Sequence, residues 1–213
     1  MAKTKKQKMD KLVLFLIPIG VAVNFVAGQI ASSLALPFYL DTIGTISIGA
    51  LCGSIPGAIV GLLSSLINGF ADPVLLCFTP VSVIIGLLAG VLSRKGFFKG
   101  IGKLIASAII FGIVGGCVSA LITWGVYGFD FGIGPSSYVS VPLYKIFHMN
   151  KFVCELIGSS SIDMVDKIIS VIVMSGVLKA SPSRMLAKLP LGSQYIKNAI
   201  DDDPINSHTN LFI

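Results

Sequence analysis

The sequence predicts an all-α integral membrane protein, a compact bundle of about six short transmembrane helices with both termini cytoplasmic. Three observations carry that prediction. The 213 residues are 54% hydrophobic and only 12% charged, about half the charge of a soluble domain. The mean hydropathy is +0.90. Four stretches, 12–40, 42–71, 73–93 and 104–129, hold no charged side chain, and each is long enough to cross a bilayer core of about 30 Å as a helix. This composition excludes a soluble enzyme, a disordered chain and a nucleic-acid-binding domain. The net charge of +6 does not restore the last of these, because the basic residues lie in clusters beside the apolar stretches.

The first predicted helix is 12–34, preceded by a basic arm over 1–11 that carries Lys3, Lys5, Lys6, Lys8 and Lys11. An arm of this kind also precedes cleaved leaders, and Ser33-Leu34-Ala35 mimics a cleavage site. The apolar run is longer than the roughly 7–15 residues of a leader and holds Asn24 and Gln29, so a retained helix is expected. Further basic clusters are Arg94, Lys95, Lys99 and Lys103 in the middle of the chain, and Lys179, Arg184, Lys188 and Lys197 near its end. Together the three clusters hold 13 of the 16 basic residues. Basic loops stay in the cytoplasm, so an even number of crossings must separate the first cluster from the second.

Only three apolar stretches lie between them, so one must turn back on itself. The stretch 42–71 is the candidate, broken at Cys52-Gly53-Ser54-Ile55-Pro56-Gly57, where Pro disrupts helix hydrogen bonding and Gly permits a sharp turn. Predicted helices follow over 42–53 and 56–70, either two short protein-surrounded spans or a re-entrant hairpin, then over 74–93, 103–127 and 160–179. The last contains Asp163, Asp166 and Lys167. The connection 128–158 is expected to be a long loop whose amphipathic stretch 141–156 partly caps an outward cavity. The membrane unit is thus 12–180, with a cytoplasmic tail over 181–213. Within the tail, 183–200 is expected to lie on the inner membrane surface, and the acidic run 201–203 opens a disordered end.

Spaced small residues allow helices in lipid to approach closely. Gly49, Gly53, Gly57 and Gly61 repeat every four residues, and Gly86/Gly90 and Gly112/Gly116 share that spacing; these fit packing within the chain. Ala27, Ala31 and Ala35 repeat likewise and serve either internal packing or a partner helix.

The sequence lacks a P-loop, HExxH, GxSxG or EF-hand pattern, and Cys52, Cys77, Cys117 and Cys154 form no CxxC. No catalytic residue, metal ligand or cofactor is therefore expected. His148 and His208 are isolated and read as solvated. Polar groups costly in lipid mark functional interiors. Asp163 and Lys167 share a helix face, as an ion pair or as the wall of a substrate cavity. Asp41 and Asn68 lie in the two connections on the same side, where Phe38 and Tyr39 belong either to an aromatic belt or to a lid. Trp124 and Tyr127 end a predicted helix there, as belt or as stacking surface. Asn24 and Gln29 either bond neighbouring helices or line the cavity. Four carboxylates (Asp41, Asp72, Asp163 and Asp166) face one cation, Lys167, which suggests a neutral, hydroxylated or cationic ligand. A multiply anionic ligand would need Lys145 and Lys151 to fold in.

Six short helices, the alanine-spaced first helix, and Leu40-Asp41-Thr42-Ile43-Gly44-Thr45 followed by Gly49-Ala50-Leu51-Cys52-Gly53-Ser54-Ile55-Pro56-Gly57-Ala58 resemble the substrate-binding S components of energy-coupling factor (ECF) vitamin transporters. The resemblance covers about residues 10–180. It implies capture of a vitamin or metabolite at the outer face of the cell membrane; a heterocycle such as a thiamin precursor or a nucleoside-like molecule suits the aromatic residues. Delivery would be with a transmembrane T subunit and two cytoplasmic ATPases. It also implies partner docking at Ala27, Ala31 and Ala35, and a substrate pocket with Trp124, Tyr127, Asp163 and Lys167 near Asp41 and Asn68. The rival classes are a membrane sensor module, for which the residues after 180 are too few to form an output domain, and a small stand-alone permease.

Overall fold

The computed structural model describes residues 11–132 and 134–196. The basic arm up to Lys8 and the acidic run 201–203 lie outside the described residues. No strand occurs among the described residues, whose α-helices include α1 Lys11–Ser33, α2 Ile43–Cys52, α3 Ser54–Ala71, α4 Thr79–Arg94, α5 Ile101–Val126, α6 Ser137–Phe147, α7 Lys151–Ala180 and α8 Ser183–Leu186. Short 3-10 turns, Pro73–Phe78 and Phe97–Lys99, lead into α4 and α5.

Four segments are long and apolar enough to cross a membrane: Lys11–Ser33, Ser54–Ala71, Pro73–Arg94 and Ile101–Val126. Their outer faces carry large apolar side chains, among them Phe15, Val26 and Ile30 on α1, Leu66 on α3, Leu87 on α4 and Ile105, Ile113 and Leu121 on α5. In water such a surface would be a large association patch; in lipid it is the solvated face. The protein is therefore embedded in a membrane through these helices.

The stretch 42–71 turns back as expected. Gly53, at φ +107°, separates α2 from α3, a backbone conformation that a side chain would strain. At ten residues, α2 spans only about 15 Å, and all ten of its residues are buried. It is wrapped by α1, α3, α4 and α7, so its short length exposes no backbone to lipid. A Cβ on Gly44 would lie 2.0 Å from the Gly20 carbonyl oxygen, and one on Gly90 would lie 2.0 Å from the Ser54 nitrogen. The small residues thus set the α1–α2 and α3–α4 crossings. Gly112 and Gly116 of α5 meet the α7 backbone at Met164 and Ser160 in the same way, so the spaced glycines pack within the chain.

The expected connection 128–158 is not a continuous loop. It contains α6 and the first turns of α7, whose N-terminus is capped by the Asn150 side chain accepting from Phe152 N at 2.9 Å. The glycine and serines at 158–161 look like a helix boundary in the sequence. They are instead the point where α6 presses on α7: a Cβ on Gly158 would meet Ser140 Oγ at 2.1 Å. Within the extended α7, Glu155 is fully buried and accepts from Ser159 Oγ at 2.9 Å.

Over its described residues, 183–196, the expected amphipathic segment forms short helical turns and not one continuous helix. After the single turn of α8, the chain folds against the end of the bundle, burying Leu186, Leu189 and Tyr195. Leu191 N donates to Leu51 O at 3.0 Å. Ser93 Oγ donates to Ala50 O at 2.6 Å and lies 2.7 Å from the Tyr195 hydroxyl. Pro190 and Gly192 make the turns that permit this docking, so the packed unit runs beyond residue 180.

Candidate functional site

A cavity of about 680 Å³ lies at one end of the bundle. It gathers the C-terminal ends of α1, α3 and α5, the N-terminal ends of α2 and α4, the N-terminal half of α7, and the start of α6. The opposite end holds the α2–α3 break, the turn from α4 to α5, and the docked segment 183–196.

The charged wall comes from α7. Residues four apart share a helix face, so Ser159, Asp163 and Lys167 all line the cavity. Lys167 Nζ lies 2.5 Å from Asp166 Oδ2 and 3.5 Å from Asp163 Oδ1, and all three residues are buried. Asp166 uses its second oxygen to accept from Leu40 N at 2.7 Å. That bond holds the connection between α1 and α2 against α7, with Leu40 in the left-handed region at φ +54°. Ser119 of α5 and Asp163 both line the cavity.

The anchored connection brings Phe38, Tyr39, Asp41 and Thr42 to the cavity wall. Burial first, then Asp163 and Asp41, hold the Tyr39 phenol above its ordinary range, so it remains a hydroxyl that can donate. Burial also pushes the Asp41 carboxyl up to about 6, against the pull of Lys167 and with a further upward push from Asp166 and Asp163. A second four-residue stripe, Ser119, Thr123 and Tyr127 on α5, faces α7 across the cavity, and Ser136, Ser137 and Tyr138 close it at the start of α6. The expected capping stretch 141–156 contributes no residue to the lining; the cavity is closed instead by 136–138, at the start of α6.

Of the sequence-predicted site residues, Asp41, Asn68, Tyr127, Asp163 and Lys167 meet in this one cavity. Trp124 does not. Its indole packs edge-on against Phe129 and Phe152, with ring centroids at 5.9 and 5.4 Å, and braces α5 against α7 outside the lining. Nor do the three alanines share a docking face. Ala31 is 1% exposed, inside this chain's own core, and Ala27 is half-buried. Ala35 lies past the end of α1 at φ +49° and lines the cavity. The turn after Ser33 breaks the four-residue register on which the stripe depended.

The two amides in α1 part ways. Asn24 bonds neighbouring helices, and Gln29 lines the cavity. Lys151 pairs with Asp130 at 3.1 Å and sits over the rings of Phe131 and Tyr144. Neither it nor Lys145 lines the cavity. Asp130, fully exposed, is held below the ordinary carboxylate range by the Phe131 N–H and then by Lys151. The sequence reading missed Thr42 and the hydroxyls Ser119, Thr123 and Ser159; the four-residue spacing of the last three with Tyr127 and Asp163 is the signal that would have found them.

Among the described residues no group of three or more His, Cys, Asp or Glu is placed to hold a metal ion. Comparisons with protein-family models, with curated proteins and with solved structures found no match. The functional reading therefore rests on the site. A cavity of this size, open at its rim, has room for one small molecule, and hydroxyls and carboxylates lie on its wall.

Proposed function

We propose that this chain is the membrane-embedded substrate-binding subunit of an ECF-type importer. It captures a small vitamin or related metabolite at the outer face of the cell membrane and delivers it with a T subunit and two ATPases. The single observation that carries the reading is the polar cavity at one end of a bundle whose flanks are apolar. Intramembrane charges are costly and face functional interiors, and α7 turns Asp163 and Lys167 into that cavity while Ile157, Val165, Ile168 and Ile172 face outward.

On this reading α1, α2, α3, α4, α5 and α7 make six crossings, with α2 inside the protein. The cavity end collects Asp41, Asp72 and Asp130, whereas Lys11, Arg94, Lys95, Lys99, Lys103 and Lys179 flank the other ends of the helices. That asymmetry supports a cytoplasmic placement of the basic end. We read the site as one that binds, with Lys167 held in ion pairs to Asp163 and Asp166. Since the alanines do not form a docking face, partner contact falls to the lipid-facing sides of the helices.

The test is capture of the tagged chain from its native membrane, with uptake measured alongside. The expected result is a second integral membrane protein and two ATPase subunits on the tag, with ATP-dependent uptake. Uptake by the chain alone, driven by a proton gradient, would overturn the importer reading in favour of a permease.

A further inference from the structure

We propose that the cavity is built for a small organic cation, with Asp41 and Asp163 facing its charge and the aromatic wall of Tyr39 and Tyr127 its body. The inference rests on the substrate-binding reading above and assigns its ligand class. Three carboxylates, Asp41, Asp163 and Asp166, surround one ammonium, Lys167. Asp166 is spent: it is fully buried, one oxygen holds Lys167 and the other holds Leu40 N. Lys167 lies farther from Asp163, at 3.5 Å. Asp41 has no ion-pair partner within 4.0 Å among the described residues, and it faces the cavity. Asp72 adds a fourth carboxylate at the rim.

A bound anion would add to this surplus of negative charge and a neutral ligand would leave it, whereas a cation offsets it. The cavity, at about 680 Å³, is far larger than an inorganic ion, and tyrosine faces attract organic cations. An independent observation marks the same place as a ligand site. Thr42 is 3% exposed and lines the cavity, yet its Oγ1 has no hydrogen-bond partner. A buried hydroxyl left unpaired is costly, and a polar group on the ligand would satisfy it beside Asp41.

The test uses three probes with one ring and different charge: benzyltrimethylammonium, benzyl alcohol and benzoate. Each is titrated against the full-length protein in lipid nanodiscs by thermal shift. The cation is expected to stabilise the protein most. Its affinity should fall about tenfold in Asp41→Asn, as for loss of a charge-assisted contact, and recover in Asp41→Glu. Equal or greater stabilisation by the alcohol or benzoate overturns the cation site while leaving a substrate-binding subunit in place. Cation affinity unchanged in Asp41→Asn overturns it as well. Stabilisation by none of the three overturns the cation site, and the importer reading then stands or falls separately on partner capture and uptake.

Discussion

Two buried polar clusters sit within this bundle, and they are built on opposite principles. The first is Asn24, which ties α1, α2 and α3 together. Its amide donates to Thr45 Oγ1 at 2.8 Å and Ser64 Oγ at 2.9 Å, and its carbonyl accepts from Gly44 N at 2.6 Å. Both donor hydrogens are used and the carbonyl oxygen is engaged, no net charge is involved, and Asn24 does not line the polar cavity. The second is the α7 cluster of Asp163, Asp166 and Lys167, which carries unequal charge and opens onto the cavity together with Asp41. A closed, neutral network holds helices in place. An open, unbalanced one has capacity left for something else. The contrast separates structure from function more sharply than burial does, since both clusters are equally buried.

The largest effect that would sharpen this contrast is on stability. Lys167→Met leaves two carboxylates buried without their cation, and thermal unfolding in detergent should show a loss of about 3–5 kcal/mol. Asn24→Leu strands two hydroxyls and the Gly44 N–H. It should cost about 2–3 kcal/mol by the same measurement, while ligand affinity of the folded fraction stays unchanged. Affinity that fell in parallel with stability would erase the distinction between the clusters.

Smaller effects fall on binding. Asp163→Asn keeps the size of the side chain and removes its charge, so affinity for the cationic probe should drop about tenfold with expression maintained. Unaltered affinity would return Asp163 to a purely structural ion pair. Because the Asp41 carboxyl, in the connection between helices, is pushed up to about 6, it is charged above that pH and neutral below it. Cation affinity should therefore be greatest above pH 6 and decline as pH falls through it, a decline that Asp41→Asn weakens. Trp124→Phe should change affinity less than about twofold, because the indole touches Phe129 and Phe152 and not the cavity.

Much of the fold was legible because each signal was local. Uncharged runs gave the apolar helices, Gly53 marked the turn between α2 and α3, and the four-residue glycine spacing marked the packed crossings. What was missed depended on contacts between distant segments. The stretch up to Gly158 suggests a loop until α6 packs against it through Ser140. Nothing local to 183–196 shows that Tyr195 reaches Ser93, 102 residues away in sequence. In the site, Asp163 and Lys167 stood out because charge is rare in apolar helices. Thr42 carries no such mark, and its unpaired hydroxyl exists only once the chain is folded. Trp124 and the alanines were misplaced because chemical type and spacing do not fix which face of a helix turns inward.

Native mass spectrometry of the full-length protein released from lipid nanodiscs tests the central claim most directly. One small molecule per chain is predicted on the wild-type protein, at lower occupancy on Asp163→Asn and at full occupancy on Trp124→Phe. A wild-type protein that carries no such mass, or undiminished occupancy on Asp163→Asn, would contradict the account.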